Sequence, residues 1–149
     1  MMSVSRSEGK APIVFACSGC SNAGQAANQA ALELDRRGLA EMSCLAGIGA
    51  GKRHFLRQLA GREVWIIDGC PIECSLGVFR QVGEHVDVHI RLQSLGVRKN
   101  ETLPADAAFE QLMAGVLGQV KEQTRRAASG EVDGCPPRPG TTANRQALR

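Results

Sequence analysis

The chain has 149 residues, 43% of them hydrophobic, enough for one ordinary domain with a single core and room for a tail. Aromatic residues make up only 3% and the net charge is +3, which argues against base-stacking platforms and against a nucleic-acid or membrane partner. The basic residues are scattered, with Lys52, Arg53 and Arg57 in one place and Lys121, Arg125 and Arg126 in another, as on solvated helix faces. No apolar run approaches the ~20 residues of a membrane span. The opening "MMSVSRSEGKAP" lacks the apolar core of a secretory signal. A cytoplasmic location is therefore expected. There, six cysteines point to metal ligands or redox thiols more than to structural disulfides.

Residues 1–11 read as a flexible leader. "PIVFAC" (12–17) is a short β-rich apolar run, predicted as the first strand. "NAGQAANQAALELDRRG" (22–38) carries Ala26, Ala27, Ala30, Ala31 and Leu34 at helical spacing, with Gly38 in the place of a C-cap. "AEMSCLAGIG" (40–49) reads as a second strand running into a glycine-rich turn, and "KRHFLRQLAG" (52–61) as a second helix. "EVWIID" (63–68) is a third strand. "PIECSLGVFRQVG" (71–83) is predicted as a helix with Pro71 at its first position and Gly83 at its exit. "VDVHIRL" (86–92) is a fourth strand. The stretch 103–128 contains a long amphipathic helix with Phe109, Leu112, Met113, Val116, Leu117 and Val120 on its apolar face. Beyond Ser129 the apolar pattern stops, so 129–149 is expected to be a disordered tail.

Strands alternating with helices imply an α/β fold, a Rossmann-like three-layer sandwich with a mostly parallel sheet of about four strands and a long C-terminal helix. The domain is placed at 12–128. In a parallel sheet the strands end on one shared edge, where open α/β sheets bind ligands.

That edge is where the cysteines fall. Cys17 and Cys20, in "CSGCSNAG", follow the first strand; Cys44 lies at or near the end of the second; Cys70 follows the third and Cys74 comes four residues later. C-x-x-C spacing lets two thiolates reach one metal ion. Both pairs are expected at helix N-termini, with Cys70 as an N-cap, and there thiolate is favoured over thiol. Asp68 could accept hydrogen bonds from the loop or support a ligand from the second shell. The tetrapeptide "DGCP" occurs twice, at 68–71 and 133–136; the second copy follows no strand, so Cys135 is read as an exposed thiol outside any site.

Other motifs fail on inspection. A C-x5-R oxyanion loop counted from Cys17 meets Ala23 where Arg is required. "GIGAGKR" (47–53) is one residue short of a P-loop and has Arg53 where Ser or Thr would bind magnesium. It is no G-x-G-x-x-G either, because Lys52 stands at the last glycine position. His85, Asp87 and His89 share one face of the fourth strand, read as a solvated or helix-covered polar face, and His54 as a surface residue.

The pieces "CSGCSNAGQAANQAALELDRRGL" (17–39), "MSCLAGIGAG" (42–51), "VWIIDGCPIEC" (64–74) and "VDVHIRLQSLGVRKN" (86–100) together resemble the bacterial DGC-domain proteins, which are described as zinc-binding. The resemblance implies four cysteine ligands, Cys17, Cys44, Cys70 and Cys74, around one zinc ion. That family commonly reads "CSGGSN" where this chain has Cys20, so Cys20 is held in reserve. The resulting expectation is a small zinc-holding protein. An iron–sulfur or thiol-redox protein using the same cysteines is the first alternative, and a metal-free partner-binding module the second.

Overall fold

The computed structural model describes residues 9–102 and 106–131. Four strands, β1 (Ile13–Ala16), β2 (Glu41–Met42), β3 (Val64–Asp68) and β4 (Val88–Arg91), form one fully parallel sheet in the order β2-β1-β3-β4. Among the described residues five α-helices, α1 (Asn22–Arg36), α2 (Leu45–Gly49), α3 (Arg53–Gln58), α4 (Cys74–Val82) and α5 (Asp106–Ser129), cover its faces, and a 3-10 turn at Leu92–Leu95 follows β4.

The strand sequences dictate the layering. Side chains alternate across a strand, so Val14 and Ala16, Trp65 and Ile67, and Val88 and Ile90 enter one core with the alanine stripe of α1 and with Leu112, Met113 and Val116 of α5. Ile13, Phe15, Val64 and Ile66 enter the opposite core, with Ile48 of α2 and Leu76 and Phe79 of α4. Phe15 and Phe79 meet edge to face there, their centroids 5.2 Å apart. The expected sandwich, its parallel sheet and its long C-terminal helix are all present.

Two local expectations are corrected. The second strand is only two residues long, and "LAGIG" is a short helix in place of a turn. Gly47 permits it: a Cβ there would sit 2.1 Å from the Phe55 ring. The third predicted helix starts three residues late, at Cys74, because residues 70–73 form a turn closed by Glu73 N–H donating to the Cys70 carbonyl at 3.2 Å. Cys70 is therefore not the N-cap; Glu73 is, in the left-handed region at φ 54°.

β4 is an edge strand, and its free backbone groups are met by side chains of α5. Gln123 accepts from His89 N–H at 2.8 Å and donates to its carbonyl at 2.7 Å. Gln119 does the same for Arg91, at 2.9 and 3.0 Å. Four helical residues rise about 6 Å and two strand residues about 6.6 Å, so the two amides keep step with the strand. An edge that would otherwise invite another strand is closed.

Candidate functional site

The carboxyl end of the sheet is built around β3. Asp68, its last residue, is only 1% exposed. Its Oδ1 accepts from Ser75 N–H at 2.7 Å; its Oδ2 accepts from Leu76 N–H at 3.2 Å and from His89 Nε2–H at 2.8 Å. Glu73, the residue before α4, makes no side-chain cap, so the helix takes its anion from the preceding strand. Burial works to raise the Asp68 pKa, but His89, Ser75 and Leu76 outweigh it and hold the carboxyl below its ordinary range. His89 faces α4 because β4 pairs His89 with Ile66, two residues before Asp68 on the same face of the sheet. In sequence His89 reads as part of a solvated or helix-covered polar face; the structure covers it, 8% exposed, with Nε2 2.8 Å from Asp68 Oδ2. Its alternation with Val88 and Ile90 was the available signal.

Gly69 follows because nothing larger fits. A Cβ would lie 2.1 Å from the Ala23 carbonyl oxygen at the start of α1. Its N–H donates to Cys17 Sγ at 3.3 Å, and Cys17 N–H donates to the Ile67 carbonyl at 3.0 Å. The loop from Cys17 to α1 is stiffened by Ser21, whose hydroxyl caps α1 by accepting from Gly24 N–H, and by Gln25, which donates to the Gly19 carbonyl. Asn22 ties in the segment after β4 through the Arg98 carbonyl and Asn100 N–H, both at 2.7 Å.

The cysteines take different places on this end. Cys17 and Cys70 are half-buried, while Cys20, Cys44 and Cys74 are exposed. Cys44 precedes α2, and Cys74 is the first residue of α4. Burial pushes the Cys17 thiol up to about 11, with the Asp68 charge adding to it and the Gly69 hydrogen bond opposing it.

The metal expectation is overturned. Among the described residues no group of three or more His, Cys, Asp or Glu is placed to hold a metal ion. Cys17, Cys44, Cys70 and Cys74 do not form the expected cluster, and adding Cys20 does not complete one. Zinc as cofactor, an iron–sulfur cluster in its place and a metal ion as partner are all corrected by this geometry. The turn at 70–73, which delays α4 and separates Cys70 from the helix start, is the local physical reason. The thiol-redox alternative, which used the same cysteines, is corrected with them, since among the described residues no cluster of cysteines is gathered. Cys135 and the second "DGCP" lie outside the described residues.

What the turn does display is apolar surface. Between the two cysteines, Pro71 is exposed and Ile72 is 67% exposed. Glu73 holds the turn in its left-handed conformation, accepting from Arg91 Nε at 2.7 Å. That backbone costs about 1 kcal/mol or more for a residue with a side chain.

Residues 13–116 match the DGC domain. The chain is similar to the "Anaerobic and virulence modulator AnvM" of Pseudomonas aeruginosa, 44% identical over 89 residues, which are 59% of this chain and 68% of that protein. No solved structure matches the chain.

Proposed function

The chain belongs to the DGC domain family, and from that premise we propose that it is a cytoplasmic regulatory module that modulates another protein by direct contact. Its contact point is the β3–α4 turn. The observation that carries this reading is Ile72, a large apolar side chain held out in solvent on a strained, ion-paired turn at the ligand-binding edge of the sheet. Strain of this kind clusters at working sites, and an exposed apolar residue on a rigid support is a fitting anchor for a partner. The Asp68–His89 pair serves to set the turn, since both carboxylate oxygens are engaged by α4 or by His89. The AnvM relative, a modulator by name, supports a regulatory role. The acting unit is placed at residues 12–128.

The test is complementation. A strain lacking the gene is grown without oxygen and its transcripts are compared with those of the parent. The wild-type gene should restore the parental pattern and Ile72→Glu should not, although its urea-unfolding midpoint is unchanged. Full restoration by Ile72→Glu would remove the turn from the function. A deletion without effect on transcripts would remove the regulatory reading.

A further inference from the structure

The sheet stops at β4, but the layers around it do not. α4 lies on one face of the sheet and α5 on the other. Between them, along the outer side of β4, the structure has a cleft of about 890 Å³. His89 and Arg91 of β4 form its floor, Leu76 and Val86 one wall, and Gln119 and Gln123 of α5 the other. A neighbouring strand lies about 4.8 Å away in the plane of a sheet, so the cleft occupies the place of a fifth strand.

Three observations bear on what fits there. First, the outward backbone groups of β4, the N–H and C=O of His89 and of Arg91, are engaged by two glutamine side chains. An incoming backbone can take over such bonds one for one while water takes the released amides, so the exchange is close to neutral. Binding then rests on the side chains the newcomer buries. Second, the part α5 takes in the apolar cores ends at Val120. Gln123 therefore stands on a stretch of helix that enters neither core, and such stretches open at lower cost than packed ones. Third, Glu84 lines the cleft, and burial raises its pKa with no cation opposing the rise. A positive charge brought beside it would be favoured.

We infer that the β4 edge receives an extended peptide segment of another protein. The segment takes the backbone groups of His89 and Arg91 from Gln119 and Gln123, sets alternate apolar side chains against Leu76 and Val86, and brings a lysine or arginine to Glu84. Places for alternate side chains are what give strand addition its specificity. Two nearer occupants fit less well. A second copy offers a β4 whose Val88 and Ile90 are already spent in its own core and whose His89 is spent on Asp68, so it brings backbone alone. Residues 132–149 of this chain carry Pro136, Pro137 and Pro139, which cannot donate to a ladder, and no run of alternating apolar residues. The edge is separate from the turn at 70–73, and neither reading depends on the other.

The probe is the peptide acetyl-Thr-Val-Thr-Val-Lys-Val-Thr-amide, titrated into the full chain labelled with 15N. Saturable shifts are expected at the backbone amides of His89 and Arg91 and at the side-chain amides of Gln119 and Gln123. N-methylation of alternate peptide amides should weaken binding at least tenfold for one alternate set and leave it unchanged for the other. Glutamate in place of the peptide lysine, or Glu84→Gln in the protein, should weaken binding at least threefold. Absence of saturable shifts overturns the site. Equal affinity of the two methylated peptides overturns strand pairing, and undiminished binding after both charge changes overturns the match to Glu84. Shifts of the same amides that grow with protein concentration in the absence of peptide give the edge to a second copy. Nuclear Overhauser contacts from 132–149 to these amides in the free chain give it to the chain's own segment, and either result overturns the partner.

Discussion

Replacing Asp68 by Asn keeps the shape of the side chain and removes its charge. In the native site two backbone N–H groups and His89 Nε2–H all point at the carboxylate. An amide offers one acceptor oxygen and one donor nitrogen. If the oxygen keeps Ser75, the nitrogen faces Leu76 N–H; if it turns to Leu76 and His89, the nitrogen faces Ser75 N–H. Either way one buried amide is orphaned, at about 1–3 kcal/mol. The charge-assisted bond to His89 is lost as well, about 1.5–3 kcal/mol for a hydrogen bond to a charged group. The two terms overlap, and a destabilisation of about 3–4 kcal/mol follows. Urea unfolding at neutral pH, followed by the single Trp65, which is 6% exposed in the α1–α5 core, measures it directly. The native carboxyl has a lowered pKa, so its contribution is present above the ordinary carboxylate range and is lost as pH falls through the folded value. The gap between wild type and Asp68→Asn should therefore narrow in acid. A loss under about 1 kcal/mol, or a gap that widens in acid, would refute the capping role of Asp68.

Further outcomes follow from the same geometry. Gly69→Ala places a methyl carbon against the Ala23 backbone, and since overpacking costs about 1–3 kcal/mol even against side chains, thermal unfolding should show a loss at or above that range. With Cys17 as sole cysteine, the pKa near 11 implies about 100-fold less thiolate at pH 8 than an ordinary thiol of pKa 9.0. Higher nucleophilicity recovers part of that, so iodoacetamide should react about 10- to 100-fold slower with the folded protein than with the same protein in urea. Incubation with a strong chelator should leave the unfolding midpoint of the wild type unchanged, and a drop of several degrees would reinstate a metal. Gln119→Leu with Gln123→Leu strips the edge of β4 of its four hydrogen bonds, and light scattering should then show concentration-dependent association that the wild type lacks.

Much of this architecture is legible in the letters. "IVFA" and "VWIID" are short apolar runs that can only be fully buried strands, and the alanine spacing from Ala26 to Leu34 marks the face α1 turns to the sheet. β2 is harder, because two residues carry no periodicity and "LAGIG" looks like a turn until Phe55 is seen packed on Gly47. The start of α4 misleads for a different reason. Pro71 favours a first helical position, but Glu73 in a left-handed conformation delays the helix by a turn, and nothing about Glu announces that conformation. The cysteines are rightly placed on strand ends, yet strand ends are several ångströms apart across a sheet. Whether thiols converge depends on loop geometry that spacing does not encode. The Asp68–His89 pair spans 21 residues and requires the β3–β4 register, which only the folded sheet supplies.

The central claim is that the turn at 70–73 touches a partner protein, and site-specific photocrosslinking tests it most directly. A photoreactive residue placed at Ile72 in living, anaerobically grown cells is compared with one at Leu32, equally apolar and 52% exposed but on α1. The account predicts one discrete crosslinked species at position 72 that is absent at position 32. Identical patterns at the two positions, or no species at 72, would contradict it.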